Sequence, residues 1–173
     1  MSVVTVVGNP RPGSRTLAVA VRAAETVALR IGDGEAPEVV DLAVLAPLLF
    51  APETAPEVKA ALELVAGADV LVVASPTYKA TYTGLLKVFL DRLPGGALAS
   101  AVALPLLVMG DAKHSLAVEV HLRPLLVELG ATVPTPGLAL LESRIPDLDA
   151  VLGPWVDRVG PQVVAAFGER GRT

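Results

Sequence analysis

The sequence predicts a three-layer α/β protein, in which helices cover both faces of a five-stranded parallel sheet. Short β-branched runs alternate along the chain with longer helix-like segments, the order that parallel strands and crossover helices produce. Hydrophobic residues make up 53% of the chain and aromatic residues only 3%, so the core must consist mainly of Ala, Val and Leu. The length of 173 residues predicts a single domain, 1–173.

Five short apolar segments have the pattern of strands. They end at Gly, Pro or polar residues, which are the usual strand boundaries. The predicted strands are Val3–Val7, Glu38–Leu42, Asp69–Ala74, Ala103–Met109 and Thr132–Leu140. Pro134 and Pro136 weaken the last one, and because proline donates no ladder hydrogen bond we expect that strand at an edge of the sheet.

Helices are expected between these strands. The predicted ranges are Thr16–Arg30, Pro56–Ala66, Thr83–Leu93, Ser115–Leu129 and Asp147–Phe167. Pro94 and the two glycines after it form a stop signal. Pro124 predicts a kink or a second segment, and Pro154 marks a candidate break in the last helix. The polar tail Gly168–Thr173 is expected to fray.

The composition argues against several functional classes. A net charge of −4 without a basic block disfavours a general nucleic-acid binder. No apolar run approaches the roughly 18 residues of a membrane span, and Val3–Val7 resembles a strand, not a signal peptide, so we expect a cytoplasmic protein. The absence of cysteine excludes disulfides and thiol chemistry, and two histidines without suitably spaced carboxylates predict no metal site.

Two segments carry more apolar residues than one face of a surface element needs. They are Leu42–Pro52, which contains no charged residue, and the helix Thr83–Leu93. One explanation is deep burial within the monomer. The other, which we favour slightly, is a subunit interface that hides these residues.

The segment Gly8–Thr16, GNPRPGSRT, lies between the first strand and the first helix and is suited to an anion. Its glycines allow sharp turns, and Arg11 could add a bidentate contact to a phosphate. Ser14, Arg15 and Thr16 place hydroxyls, N–H groups and a guanidinium at the amino terminus of the helix. The partial positive charge of a helix amino terminus favours a phosphate there. The spacing matches neither a dinucleotide fingerprint nor a nucleoside triphosphate loop. An equally good interpretation is a plain turn whose hydroxyls cap the helix.

A second loop, Ser75–Gly84, follows the third strand, where open parallel sheets bind ligands. Pro76 ends the strand, and Tyr78 and Tyr82 offer flat surfaces to a planar ring. Lys79 could place a cation beside a reduced flavin, and the N–H groups of 77–79 could bond the ring edge. With the anion loop, this suggests a flavin mononucleotide. Alternatively, both tyrosines pack in an interface and Lys79 is solvated.

The third loop, after the fourth strand, is less specific. Gly110 permits close approach of a ring edge, whereas Asp111 or Ser115 more simply caps the next helix, the interpretation we favour. His114 and His121 are expected to be surface, packing or interface residues, and the sequence shows no Ser-His-Asp arrangement.

Three stretches in this order resemble the NADPH-dependent FMN reductase family of flavodoxin-like proteins. They are GNPRPGSRT, SPTYKATYTGLLKVFLDRLP and LPLLVMGDAKHSLAVEVHLRPLL. The chain is most similar to the flavin reductases that supply reduced FMN to alkanesulfonate monooxygenases. The similarity covers most of residues 1–130.

The resemblance implies a flavodoxin-like sheet of order 2-1-3-4-5, a dimer or tetramer, and FMN at the carboxyl ends of the strands. It assigns the FMN phosphate to Arg11, Ser14, Arg15 and Thr16. It assigns the isoalloxazine to Pro76, Thr77, Tyr78 and Lys79, with Gly110 and Asp111 at the far side. It also implies hydride transfer from NADPH or NADH to the flavin, with no catalytic protein nucleophile.

Two positions depart from the family pattern. Asn9 stands where the family usually has Ser. Members that pass reduced flavin to a monooxygenase often have an inserted Tyr or His that bulges the helix after the third loop. Here that stretch reads VEVH, with Val at the tyrosine position and His121 one residue later as a candidate replacement.

Three functions follow from this sequence. The leading hypothesis is an NAD(P)H-dependent FMN reductase that supplies a monooxygenase. The second is an enzyme that keeps FMN bound and reduces quinones or azo dyes. The third is a flavodoxin-like electron carrier or redox-responsive binding protein, although such carriers are more acidic than this chain. Arg15 could reach either the FMN phosphate or a 2′-phosphate, so the sequence does not choose between NADH and NADPH.

Overall fold

One parallel sheet with the strand order β2-β1-β3-β4-β5 organises the chain. The structure, a computed structural model, describes residues 1–32, 35–134 and 136–170. Within these ranges the strands are β1 (Val3–Val7), β2 (Glu38–Asp41), β3 (Val70–Pro76), β4 (Val102–Met109) and β5 (Leu138–Leu141). The predicted fold class and the strand order implied by the resemblance are both confirmed.

Helices cover both faces of the sheet. They are α1 (Arg15–Ile31), α2 (Leu42–Leu45), α3 (Pro56–Ala66), α4 (Gly84–Leu90), α5 (Arg123–Glu128) and α6 (Leu148–Arg170). Among the described residues, three short 3₁₀ helices add to them, at Ala46–Leu48, Ala112–His114 and Glu142–Asp147. A π-helical segment, Val118–Leu122, leads directly into α5. In the described part of the chain, no helix combines the length and apolarity that a membrane span requires.

The residues of each central strand alternate between two core clusters. In β3, Leu71 and Val73 pack with residues of α3, α4 and α5, whereas Val70 and Val72 pack with residues of α1 and α6. Both faces of the strand are therefore buried, which explains why its sequence is almost entirely apolar.

The last strand is shorter than predicted. The sequence suggested Thr132–Leu140, but β5 begins only at Leu138, and Thr132 forms an isolated bridge with Val102. Pro134 and Pro136 lie in between, and a proline cannot donate to the ladder. The predicted edge position of this strand is confirmed.

The predicted break in the last helix is wrong, because α6 continues through Pro154 and Pro161. A glycine precedes each proline, at Gly153 and Gly160. A proline also disfavours helical backbone at the residue before it, partly through that residue's Cβ, which glycine lacks. Burial against α1 then stabilises the continuous helix, through Leu152, Trp155, Val156, Val159 and Val163.

Several boundaries differ less. Pro124 does begin a second helical segment, since it lies in the first turn of α5. Strand β3 runs two residues beyond its predicted end and includes Pro76. Helix α6 extends into the predicted tail as far as Arg170, and residues 171–173 lie outside the described residues.

The two apolar-rich segments are mostly explained by burial within the monomer. In α4, Leu86, Phe89 and Leu90 are fully buried. In the stretch Leu42–Pro52 the leucines at 42, 45 and 49 are buried, whereas Val44 and Phe50 remain 69% and 79% exposed. These two large side chains, with the exposed Pro47 and Pro52, are available for the predicted interface.

Glu119 and Arg123 fasten the π-helical segment to the chain entering β5. Glu119 accepts hydrogen bonds from the Arg123 guanidinium and from the backbone N–H of Gly137, the latter at 2.7 Å. Arg123 also donates to the carbonyl of Val133. The arginine hydrogen bond is the main cause that holds the pKa of Glu119 below its ordinary value of 4.5, and the Gly137 N–H adds to it.

We predict that Glu119→Gln lowers the free energy of unfolding by about 1–2 kcal/mol at pH 7, because two hydrogen bonds lose a charged acceptor. A lowered pKa means that the carboxylate contributes fully above about pH 4.5 and loses its contribution as the pH falls through the folded-state pKa. Urea unfolding of both proteins at pH 7 and near pH 4 measures this. Glu128→Gln, at an exposed position of α5, is the control and should change stability by less than about 0.5 kcal/mol. Equal stability of Glu119→Gln and wild type at pH 7 would contradict this account.

Candidate functional site

A cleft of about 420 Å³ lies at the carboxyl ends of β1 and β3. It is lined by Asn9, Arg11, Pro12, Gly13, Ser14, Arg15, Thr16, Pro76, Tyr78 and Glu142. The structure therefore brings the predicted phosphate residues together with the first part of the predicted ring loop. The two loops lie side by side because β1 and β3 are neighbouring parallel strands. The chain leaves these two strands in opposite directions along the sheet, which opens a crevice between their carboxyl ends.

The other predicted site residues do not line this cleft. Thr77 and Lys79 lie in the loop beside it, and Gly110 and Asp111 follow the next strand, β4. Asp111 accepts a hydrogen bond from the Lys113 N–H at 2.9 Å and caps the 3₁₀ turn Ala112–His114. That bond, together with the Lys113 ammonium, holds the pKa of Asp111 below its ordinary value. The capping interpretation of Asp111 is thus the one that the contacts support.

Asn9 organises the anion loop from inside. Its side chain is buried, its amide nitrogen donates to the Thr16 hydroxyl at 3.1 Å, and its amide oxygen accepts from the Arg11 N–H at 3.0 Å. The Thr16 oxygen is used as an acceptor, so its own proton can be donated into the cleft. Asn9 therefore holds the loop in place through two hydrogen bonds, a role that the sequence analysis missed.

The amino terminus of α1 combines a cap with free donors. Ser14 caps the helix by accepting from the Leu17 N–H at 3.1 Å, so the capping interpretation of this loop is right. The N–H groups of Arg15 and Thr16 have no acceptor among the described residues. A capped helix terminus with two free N–H groups, facing a cleft, remains suited to an anion. The two interpretations that the sequence left open are therefore compatible.

Two arginines and one acid set the charge of the cleft. Arg11 is exposed, whereas the guanidinium of Arg15 pairs with the Glu142 carboxylate at 3.1 Å. Glu142 follows β5 directly, and the sequence analysis did not single it out. Its position directly after a strand could have identified Glu142 from the sequence, because parallel sheets of this kind bind ligands at the carboxyl ends of their strands.

Thr83 ties the two loops together. Its hydroxyl donates to the carbonyl of Gly8 and accepts from the N–H of Leu86, while its own N–H donates to Ser75 Oγ at 3.0 Å. A Cβ on Gly8 would lie only 2.6 Å from the Cβ of Leu86. Glycine is thus required there because the loop after β1 packs directly against α4.

The ring loop contains a strained turn. The N–H of Tyr78 donates to the Thr81 carbonyl at 2.8 Å, and the reverse bond measures 3.3 Å. The two residues between them, Lys79 and Ala80, have positive φ angles of 52° and 69°. Turns of this shape favour Asn-Gly, and left-handed backbone is costly for lysine and alanine. Strain of this kind is found preferentially at functional sites.

Thr77, Tyr78 and Tyr82 of the same loop differ in burial and in what they contact. The Thr77 hydroxyl is buried and, within the part of the chain that the structure describes, has no hydrogen-bond partner. Tyr78 is 42% exposed and lines the cleft, so its ring is available to a ligand. Tyr82 packs against the core cluster instead. Of the two tyrosines, only Tyr78 is placed to contact a planar ring.

A π-helical turn stands where the family's helix bulge is expected. The N–H of Arg123 bonds to the carbonyl of Val118, five residues earlier, within the segment Val118–Leu122. The bulge is therefore present although valine occupies the usual tyrosine position. His121 lies within the segment and is exposed, as expected for a surface or interface residue.

A family model described as NADPH-dependent FMN reductase matches residues 1–144. The chain belongs to this family. It is therefore an oxidoreductase of the flavodoxin-like type that works with FMN and with NADPH or NADH. The resemblance proposed from the three motifs is confirmed.

Two relatives show how far the similarity of this FMN reductase extends. It is 38% identical over 151 residues to the FMN reductase (NADPH) of Escherichia coli K12, covering 85% of this chain and 76% of that protein. It is 30% identical over 177 residues to the NADH-dependent FMN reductase SfnE of Pseudomonas putida, covering 97% and 93%. The two relatives differ in the nicotinamide nucleotide that their names give.

Two solved structures share the fold of this FMN reductase. The apo form of the NADH:FMN oxidoreductase EMOB is 32% identical, with a TM-score of 0.77 over 93% of this chain and 89% of that one. An oxidoreductase from Corynebacterium diphtheriae is 26% identical, with a TM-score of 0.82 over 95% and 98%. Flavodoxin-like architecture therefore extends over nearly the whole chain.

We predict that Ala80→Gly stabilises the protein by about 0.5–1 kcal/mol, because glycine adopts the left-handed conformation of the turn without strain. Thermal or urea unfolding measures the change. The same substitution at Ala60, an exposed residue inside α3, is the matched control and should destabilise by about 0.5–1 kcal/mol. A loss of stability at position 80 similar to that at 60 would refute the strained turn.

Proposed function

We propose that this FMN reductase binds FMN in the cleft between its first two crossover loops and reduces it for release to a flavin-dependent monooxygenase. The observation that carries the proposal is the cleft itself, which joins an anion-binding helix terminus to a loop with an exposed aromatic ring. The proposed cofactor-binding residues are Arg11, Ser14, Arg15, Thr16, Pro76, Thr77, Tyr78, Lys79, Gly110 and Asp111.

The anion end of the cleft fits the phosphate of FMN. The free N–H groups of Arg15 and Thr16, the Thr16 hydroxyl and the Arg11 guanidinium can all donate to phosphate oxygens. Hydrogen bonds from Asn9 fix the position of Thr16 and of the loop before the ligand arrives. Such preorganisation reduces the entropy that binding costs.

The second loop fits the planar ring of a flavin. Tyr78 offers a ring face, Lys79 a cation, and the orphaned Thr77 hydroxyl a hydrogen-bonding group that a ligand can satisfy. Gly110 and Asp111 come next along the edge of the sheet, after β4, and are proposed for the far side of the ring. When bound, FMN supplies the hydride-accepting chemistry, and the protein positions the two rings and excludes water.

Transfer of the reduced flavin to a monooxygenase is the finer part of the proposal. The π-helical turn at Val118–Leu122 supports it, because the resemblance associates that bulge with family members that pass flavin on. Exposed apolar side chains of the same region support a homodimer or homotetramer, with Leu116, Val120 and Val127 each more than half exposed. The cytoplasmic location expected from the sequence stays a prediction.

Steady-state kinetics test the proposal directly. Oxidation of NADH or NADPH, followed by absorbance, should depend on added FMN, and comparison of the two nucleotides gives the preference. A protein purified colourless, with turnover that saturates in FMN, supports a released substrate. A yellow protein that turns over quinones without added FMN would support the enzyme with resident flavin, and no turnover at saturating FMN would refute the reductase.

We predict that Arg11→Ala raises the FMN dissociation constant by about tenfold or more, because a charge-assisted phosphate contact contributes roughly 1.5–3 kcal/mol. Flavin fluorescence quenching measures the constant. Arg158→Ala removes the same charge from an exposed position of α6 and should leave it unchanged. Unaltered FMN affinity in Arg11→Ala would count against the anion-loop assignment.

A further inference from the structure

Glu142 places a carboxylate in a cleft that otherwise presents arginines, hydroxyls and helix N–H groups. It is the first residue after β5 and opens the 3₁₀ turn Glu142–Asp147. It lines the cleft together with Arg11, Ser14, Arg15 and Thr16. An acid among groups suited to a phosphate opposes anion binding, so its position needs an explanation.

The contact that Glu142 makes is with one of the proposed phosphate ligands. Its Oε2 lies 3.1 Å from a terminal nitrogen of Arg15. The side chain of Arg15 is 68% exposed and that of Glu142 39% exposed. An ion pair with this much solvent contributes little to stability. The pair is therefore easily exchanged, and a phosphate dianion is a stronger partner for the guanidinium than a single carboxylate.

We propose that Glu142 limits the affinity of the cleft for FMN by competing with the flavin phosphate for Arg15. It acts in two ways: it occupies the guanidinium in the free protein, and it stays beside the bound phosphate as a like charge. The result is a flavin that binds as a substrate and leaves after reduction. This inference rests on the proposed function, and it assigns the limited affinity that a released flavin requires to one residue.

The inference predicts a selective effect, because the competition involves only the phosphate. Riboflavin has the same ring system as FMN but no phosphate group. Removal of the charge at position 142 should therefore strengthen FMN binding and leave riboflavin binding nearly unchanged. A residue that contacted the ring, or that merely supported the fold, would change both affinities together.

The test measures dissociation constants for FMN and riboflavin by flavin fluorescence, in wild type and in Glu142→Gln. We expect FMN to bind roughly three- to tenfold more tightly to the variant, the size of an exposed charge interaction with a dianion. Riboflavin should bind within about twofold of wild type. The control is Glu25→Gln, which removes an acid that pairs with Arg22 on α1, and it should change neither constant.

A double-mutant cycle adds a second readout. In wild type the guanidinium of Arg15 is shared with Glu142, so Arg15→Ala should cost less FMN affinity there than in the Glu142→Gln background. Equal costs in the two backgrounds would overturn the competition.

Other outcomes are equally decisive. Unchanged FMN affinity in Glu142→Gln refutes the inference, and weaker binding shows instead that Glu142 orients Arg15 for the phosphate. An equal gain for FMN and riboflavin also refutes it, since the effect then concerns the ring. Failure of the wild type to bind FMN sinks the proposed function itself, whereas wild-type binding without a Glu142→Gln effect sinks only this inference.

Discussion

The hydrogen bonds of Thr83 are the interaction on which the site depends. One hydroxyl joins the carbonyl of Gly8 to the amino terminus of α4, so the loops that follow β1 and β3 cannot move independently. Parallel pairing of β1 with β3 brings the loops to the same edge of the sheet, but it does not fix their distance. The close packing of Gly8 on Leu86 and the Thr83 bonds fix it. The cleft is lined by residues of both loops, so its width depends on that spacing.

In the anion loop, the side chains that order the backbone also leave hydrogen-bond donors available to a ligand. The Ser14 hydroxyl caps α1 and the Asn9 amide holds Thr16, so both side chains order the loop itself. What remains available is a set of N–H groups and the hydroxyl protons of Ser14 and Thr16. The strained backbone at Lys79 and Ala80 is the counterpart in the second loop. In both places the chain stabilises a shape that its intrinsic preferences alone would not maintain.

Sequence reasoning succeeded where the pattern is local. The strands β1 and β4, the helix α3 and the start of a second segment near Pro124 follow from apolar runs, caps and prolines in a short window. It failed where distant partners decide. Glu142 lies in the cleft and pairs with Arg15, which is more than a hundred positions earlier in the sequence. Helix α6 continues through its prolines because it packs against α1. No local window contains such information.

Helix α6 bears on how the boundaries of this domain should be drawn. The family match stops at residue 144, before α6 begins at Leu148. Yet α6 and α1 together cover one face of the sheet, and two arginine–aspartate pairs join the two helices. The family model and burial thus give different limits, and a fragment cut at residue 144 would expose the side of α1 that packs on α6. The range that the family model matches is therefore shorter than the packed core of the protein.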